Sequence, residues 1–516
     1  MIKPEIMALL TAVSKLLTAE EVTAYLVGGF LRDLLLGRDT ADIDIAVTGD
    51  ATEVATRVAS AIGGKYVLLD EINQISRVIV TDSGQHRELD FSTLRGDIEQ
   101  DLAQRDFTID ALAVKLDRSH GSLESADILD PLNGRQDLSQ RLIRATGNHV
   151  FTADAARLLR AVRLAAELGF TIDSNTEALI RRHAGLLAGV AMERVREELL
   201  RLFDMPNTGK YLHQLERLGL LQAIIPELAA ARGSTQPKEH FWDVFDHSIE
   251  TVDAVDFLLR RGKWVHTGED ILADSPWSPE LYEHFNLEVS GNSNRRLMLK
   301  IAALLHDVAK PQTKTIQADG RMRFLRHAEE GAAIAAGIMT RLRFSTRETK
   351  LVETIVKHHL RPGQLSNSGL PSHRAIYRYF RDTGDVGIDI LFICLADHLA
   401  TRGPQLDKSK WQEHNQVTNY VLNQRFQKDS LITPPSLIDG HDIIKILGIG
   451  PGPRIGELLE TIREAQADGE VTTREQALAM ISDQLNRPIS MSVHTVTGVT
   501  GNNGHNRKSF PSNVCG

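Results

Sequence analysis

Two hydrophobic periodicities divide the chain. Up to about Leu138, short runs around 65–69, 76–81, 87–91 and 111–116 alternate apolar and polar residues and read as strands, with helical stretches between them. From about Gln140 to Ala231 the apolar positions recur every three to four residues, the period of helices with one buried face. The Gly/Ser/Pro-containing segment Ala231–Lys238 reads as a linker. Helical patterning resumes beyond it, interrupted between Trp264 and Asn294 by a Pro-, Gly- and acid-rich stretch that reads as a long inserted loop. Helices return after about Leu406, and from about Pro488 the Ser-, Thr-, Asn-, Val- and Gly-rich sequence has no period and is expected to be disordered. The pattern therefore predicts a multidomain, mostly helical protein: an α/β head over 1–139, a helical neck and body over 140–232, a helical domain over 233–405, a helical tail over 406–487 and a disordered end over 488–516.

The densest chemistry lies between Leu26 and Val47. Leu26-Val27 reads as the end of a buried strand. Gly28-Gly29 lets the backbone approach a ligand closely, since neither residue has a Cβ. A helix over Phe30–Leu36 follows; its first N–H groups can face a phosphate, with Arg32 adding charge. After a stop at Gly37, the strand Asp42–Val47 puts Asp42 and Asp44 on one face, with Ile43 and Ile45 on the other. Two neighbouring carboxylates repel unless a cation sits between them, and Mg²⁺ bridging to substrate phosphates is the usual one. Asp90, on its own alternating strand, is a candidate third carboxylate.

Strand, glycine pair, basic helix and Asp-x-Asp strand together resemble the active site of polymerase-β-type nucleotidyltransferases, in which metals assist attack of a hydroxyl on an α-phosphate. Within that group the first 230 or so residues resemble class II tRNA nucleotidyltransferases and bacterial poly(A) polymerases, motif after motif. Arg105-Asp106-Phe107 is similar to a motif associated with ribose recognition. Asp130-Pro131-Leu132-Asn133-Gly134 is similar to the link from head to neck. Asp154-Ala155-Ala156-Arg157 is similar to the start of the base-reading helix, and Glu193-Arg194-Val195 to the last motif. The resemblance implies a polymerase-β-like head, Mg²⁺ at Asp42 and Asp44, nucleotide contacts from Gly28, Gly29, Arg32, Arg105, Asp106, Asp154, Arg157, Arg160 and Arg163, and as partners the tRNA 3′ end, CTP and ATP. Arg144, Arg160 and Arg163 are the candidates for holding triphosphate or tRNA backbone.

The base-reading helix has its own physical logic. Thr152 is its expected N-cap, Gly169 its stop, and Leu158, Leu159, Val162, Ala165 and Ala166 its packing face. Asp154 and Arg157, three apart, set an acceptor beside a forked donor, which suits the edge of cytosine or adenine and mismatches guanine and uracil. Two departures from the family stand out. Ala153 replaces the usual glutamate. Only nine residues, Ser92–Gln100, separate Asp90-Phe91 from Asp101-Leu102, where many full CCA-adding members carry a longer flexible lever; a short connection resembles enzymes that add only the two cytidines.

Further along, His247, the pair His306-Asp307 with Lys310 beyond it, and Asp397 follow the order of the HD phosphohydrolase superfamily, and the resemblance makes those four residues metal ligands. Imidazole and carboxylate suit a divalent cation, the histidine share leaning toward a transition metal. His327, His358 and His359 lie between them as candidates for a second metal or for phosphate.

Charge and composition fit an RNA enzyme. The chain of 516 residues has net charge −9, yet Arg141–Phe203 holds ten arginines and no lysine against seven acids. No apolar run approaches a membrane span, the N-terminus has no secretory pattern, and two cysteines, Cys394 and Cys515, make no disulfide framework, so a reducing cytoplasm is expected. Oligomeric state is left open. Three functions remain: a template-independent tRNA nucleotidyltransferase adding CCA or CC, with an HD hydrolase attached; a poly(A) polymerase of the same fold, whose usual basic C-terminal extension is missing; and a hydrolase using the head only to bind RNA, which the intact Asp42 and Asp44 argue against.

Overall fold

The structure, a computed structural model, describes residues 3–40, 42–71, 74–82, 85–117, 128–365, 369–427 and 435–485. The expected disordered end, 488–516, lies outside the described residues. The chain forms two compact units, one of Met1–Met205 with Tyr211–Pro226, the other of Pro206–Lys210 with Glu227 onward. The expected head, 1–139, and most of the expected neck, 140–232, fall in the first unit, with 206–210 and 227–232 in the second.

In the first unit, β1 (Ala24–Val27), β2 (Asp42–Val47), β3 (Lys65–Asp70), β4 (Ile75–Asp82), β5 (Gln85–Thr93) and β6 (Ala113–Lys115) form one sheet in the order β3-β4-β5-β2-β1-β6. β2 and β5 are parallel and their neighbours antiparallel. One face buries Ile43, Ile45, Val78, Leu89 and Phe91 beneath α3 (Ala51–Ile62), and α1 (Pro4–Ala19) packs on α3. Each such side chain contributes roughly 1.5–3 kcal/mol of burial free energy. Alternation then leaves the carboxylates of β2 and β5 on the opposite face. The short α2 (Gly29–Leu35) leaves β1 directly, and α4 (Ile98–Gln104) follows β5.

The neck is helical as expected: α5 (Gly134–Gln140), α6 (Val150–Ala153), α7 (Arg157–Leu168), α8 (Ser174–His183), α9 (Met192–Asp204), α10 (Thr208–Arg217) and α11 (Leu220–Ile224). The base-reading segment differs from the expected continuous helix. Asp154 is extended (φ −151°, ψ 105°), so α6 ends before it and α7 starts after it. Asp154 Oδ1 accepts from Ala156 N at 3.1 Å, a local bond that competes with helical continuation. Thr152 is not the cap; its hydroxyl bonds back to the carbonyl of His149. Gly169, at φ 67°, does terminate α7.

The second unit opens with α12 (Val244–Leu258), beside which pack helices Arg295–Leu305 and Val386–Arg402; Thr346–His358 packs on both of these and on His327–Arg341. The stretch expected as a loop, 264–294, is instead built: helices Glu269–Asp274 and Pro279–Asn286 precede a small hairpin, and Trp264, Ile271, Leu281 and Phe285 are buried. Its polar composition concealed four apolar anchors, too widely spaced to show a period. Within the expected tail, 406–487, Ile438, Ile443, Leu458, Ile462 and Ile481 form a core cluster. No helix among the described residues is long and apolar enough to cross a membrane.

Candidate active site and second metal centre

Parallel pairing of β2 with β5 sets Asp44 beside Asp90 and Asp42 beside Glu88. Burial pushes the Asp44 carboxyl up to about 6; Arg105 opposes the shift and Asp90 adds to it. That crowding suits a cation, and an all-oxygen set on one face of the sheet suits Mg²⁺. Gly28, at φ +70°, lies directly over Asp44: a Cβ there would stand 2.8 Å from Asp44 Oδ2 and 3.1 Å from an Arg105 nitrogen. The glycine is therefore required by close approach as well as by its backbone angle.

Of the basic residues expected to face nucleotide, two are placed differently. Arg32 is buried, its guanidinium held by Asp110 (2.7 Å) and Asp33 (2.9 Å). Arg163 is buried between Glu198 and Glu167, each at 2.5 Å. Both have their charge matched inside the fold, because a buried guanidinium needs carboxylate partners. Arg144 is likewise shared by Asp137 and Asp173. Arg105 pairs with Asp101 and extends toward Asp44. Arg160 lies 2.8 Å from Asp106; burial pushes that carboxyl up, but Arg160 and Arg157 outweigh it and hold it low.

At the start of α7, Asp154 and Arg157 are neighbours, 3.9 Å apart. Arg157 Nη1 is buried with no hydrogen-bond partner among the described residues, an open donor. Sequence reasoning missed what braces Asp154: Arg194, from α9, donates to both its oxygens at 3.0 and 2.7 Å. Burial raises the Asp154 carboxyl and the Arg194 fork lowers it further, so it is ionised, an acceptor. Arg194 stood in a recognisable motif, but forty residues of separation gave no sign of its partner.

In the second unit, His247, His306, Asp307 and Asp397 come together. His247 Nε2 lies 3.0 Å from Asp397, 3.3 Å from His306 Nε2 and 3.5 Å from Asp307 Oδ2. His327 and His359 join them from the other side, 3.5 and 3.8 Å from Asp307 Oδ1; His358 stays outside the cluster. Asp307 thus stands between two triads, His247–His306 on one oxygen and His327–His359 on the other. The Nδ1 atoms of His306, His327 and His359 each lie 2.7–2.8 Å from a backbone carbonyl three residues earlier, which can only accept. Nδ1 therefore carries the proton and Nε2 offers its lone pair inward, the tautomer a metal ligand needs. Burial, with His306 nearby, pushes His359 down to about 3, so it is neutral at physiological pH. Asp307 Oδ1 and His327 Nε2 are buried without a hydrogen-bond partner among the described residues, while Asp307 Oδ2 faces Lys310, and that donor set fits divalent cations.

The segment expected as a plain linker, Ala231–Lys238, and His240 just beyond it also reach this centre. Gln236 accepts from Lys310 at 2.9 Å, Lys310 lies 2.7 Å from Asp307, and the His240 ring sits 5.5 Å from that of His247. Beside His327 a cavity of about 580 Å³ is lined by Arg323, Arg326, Lys357, His358 and Arg361.

Family models match along the length: one described as poly A polymerase head domain at 24–144, one as probable RNA and SrmB-binding site of polymerase A at 169–232, one as HD domain at 277–402 and one as tRNA nucleotidyltransferase domain 2 putative at 394–481. The A-adding tRNA nucleotidyltransferase of Deinococcus radiodurans is 33% identical over 464 residues, 89% of this chain and 94% of that one. The chain belongs to the tRNA nucleotidyltransferase family. The CC-adding tRNA nucleotidyltransferase of Thermus thermophilus is 34% identical, over 89% of this chain and 93% of that one. The Thermotoga maritima CCA-adding enzyme complexed with tRNA shares the fold, with a TM-score of 0.60 and 22% identity over 94% of this chain and 96% of that one. In this tRNA nucleotidyltransferase the polymerase-β-like head, the helical neck and the HD domain agree with the expectation from sequence.

Proposed function

We propose that this tRNA nucleotidyltransferase extends the tRNA 3′ end by two cytidines from CTP. The observation that supports two cytidines rather than the full CCA is the connection between β5 and α4. β5 runs to Thr93, and α4 starts at Ile98 under a capping box in which Asp97 and Gln100 bond each other's backbone N–H groups. Four residues pinned at both ends have no slack to act as a lever between two pocket shapes. The A-adding and CC-adding relatives both match nearly end to end, so the single-nucleotide-class readings are the two to separate.

In this reading Asp42 and Asp44 hold Mg²⁺, which supplies charge at the α-phosphate and sharpens the attacking 3′-hydroxyl. Asp154 accepts from the exocyclic amino group of cytosine and Arg157 donates to its ring edge. Arg194 keeps Asp154 ionised and aimed, the bracing that Ala153 cannot give. Gly28 lets the backbone approach the nucleotide beside Asp44. Transcripts of tRNA lacking CCA, ending in C and ending in CC, offered labelled CTP or ATP, test this. The expected result is CTP addition up to CC and no ATP addition onto CC. ATP addition onto CC without CTP use would make the enzyme A-adding; use of both would make it CCA-adding.

The HD domain supports a second, metal-dependent phosphoester hydrolase activity, carried by the two triads sharing Asp307. The basic lining of the adjoining cavity suits a phosphate ligand. Metal analysis of the purified protein, alongside hydrolysis of chromogenic phosphate mono- and diesters with added Mn²⁺, Ni²⁺ or Mg²⁺, tests it.

A further inference from the structure

On the sheet face that carries the catalytic carboxylates, strands β4, β5 and β2 place Arg77, Asp90 and Asp44 in one row across the strands, with Glu88 and Asp42 adjacent in the next. Arg77 Nε donates to Asp90 Oδ1 at 2.7 Å and Nη2 to Oδ2 at 2.8 Å, a two-point fork; its remaining nitrogen pairs with Glu88. Arg77 also lies within electrostatic reach of Asp42. The neighbours Val78 and Leu89 are buried on the opposite face, so β4 and β5 are fixed and the fork has little room to drift.

A carboxylate has about four lone-pair directions, and a forked guanidinium takes one on each oxygen. Asp90 therefore keeps a direction on each oxygen for a cation while Arg77 holds its plane. Arg77 also offsets part of its charge: Asp42, Asp44, Glu88 and Asp90 alone would form a strongly anionic patch, able to gather cations with no substrate present.

We propose that Arg77 is a positioning residue for nucleotidyl transfer: its fork orients Asp90 as a third carboxylate beside Asp44 and draws off part of its charge. A cation shared by Asp44 and Asp90 is then bound weakly until oxygens of the nucleotide and the RNA terminus complete its shell. This makes two-metal assembly dependent on substrate, which guards the site against idle hydrolysis of nucleoside triphosphate. The inference rests on Asp42 and Asp44 being the magnesium ligands.

The test is a Mn²⁺ titration followed by electron paramagnetic resonance on full-length protein without nucleotide, with D44A marking which sites belong to the head, alongside single-turnover CTP addition. R77M is expected to tighten the weaker head site by about fivefold, the effect of one charge near a partly exposed site, and to lower the addition rate by about tenfold or more as Asp90 loses its orientation. R77K keeps the charge and loses the fork, so its Mn²⁺ affinity should stay within about twofold of the parent while the rate still falls. In a D90N background, R77M should add no further loss of rate, since Arg77 acts through Asp90. Unchanged Mn²⁺ affinity and rate in R77M, with only a lower melting temperature, would make Arg77 a brace of the sheet and overturn the proposal. Rate losses that multiply in the double variant would also overturn it. A D44A protein that still adds CTP would instead sink the site assignment beneath it, a distinct result.

Discussion

The two candidate metal sites solve opposite problems. In the head, carboxylates lie on one face of the sheet, with Asp42 exposed and Asp44 drawn inward, an open set that substrate oxygens are proposed to complete. In the HD domain, six side chains on five helical segments converge, five of them enclosed and only Asp397 reaching the intermediate zone. Hard, strongly hydrated Mg²⁺ suits a site that leaves positions for phosphate and hydroxyl oxygens, and a histidine-rich enclosure suits a cation held whether or not substrate is present. On the proposed function, the open site would take its metal as the ternary complex assembles, and the enclosed site would keep its metal without substrate.

The sharpest way to break this contrast is to remove one site and watch the other. D44A should lower CTP addition by at least about a thousandfold, because both the attacking hydroxyl and the leaving pyrophosphate lose stabilisation, while metal in the HD domain stays at the parent level. Near-normal CTP addition by D44A or D42A would remove the assignment. D307A should release both HD cations and H359A only one, measured as metal per chain after desalting, with CTP addition changed by less than about twofold. Equal metal loss in H359A and D307A would reduce the centre to a single site.

Base choice offers a smaller effect. D154A and R157A each remove one side of the cytosine contact, and losing a desolvated partner costs about 1–3 kcal/mol, or roughly ten- to a hundredfold in selection against UTP. R194A should lose part of the same selection while leaving Arg157 in place. Single-turnover addition with each of the four nucleotides measures it; a D154A enzyme that still rejects UTP as sharply as the parent would move the template elsewhere.

The smallest effect separates the sites by pH. The Asp44 carboxyl, raised to about 6 in the metal-free fold, must give up its proton to bind Mg²⁺, so head affinity should weaken by up to about tenfold for each unit below pH 6. Stability follows the opposite sense: a raised carboxyl contributes stability below its unfolded value, near 4, and loses it as pH rises through 6. Mg²⁺ should therefore raise the melting temperature of the head more at pH 7.5 than at pH 5. An equal shift at both values would mean that Asp44 is not a ligand.

What was legible in sequence was local. Alternation put Asp42 and Asp44 on one face, a glycine pair marked the tight approach that Gly28 makes to Asp44, and the adjacency of His306 and Asp307 carried the HD signature. Arg77 went unread, although a charged residue among Val78, Ile79 and Val80 was a signal that could have found it. The chain by itself thus determined most elements of the head and neck, their amphipathic faces and the chemical character of both sites, but not the helices and hairpin within 264–294. Only the tertiary structure decided the pairings: Arg194 on Asp154, Arg77 on Asp90, Asp307 between four histidines, and the enclosure of Arg32 and Arg163 among acids. It also broke the base-reading helix at Asp154, where a side-chain bond to Ala156 competes with the helical ladder. The reason is range. Periodicity and capping act over a few residues and are written in order along the chain, whereas a fork between residues tens of positions apart exists only after packing has fixed both backbones.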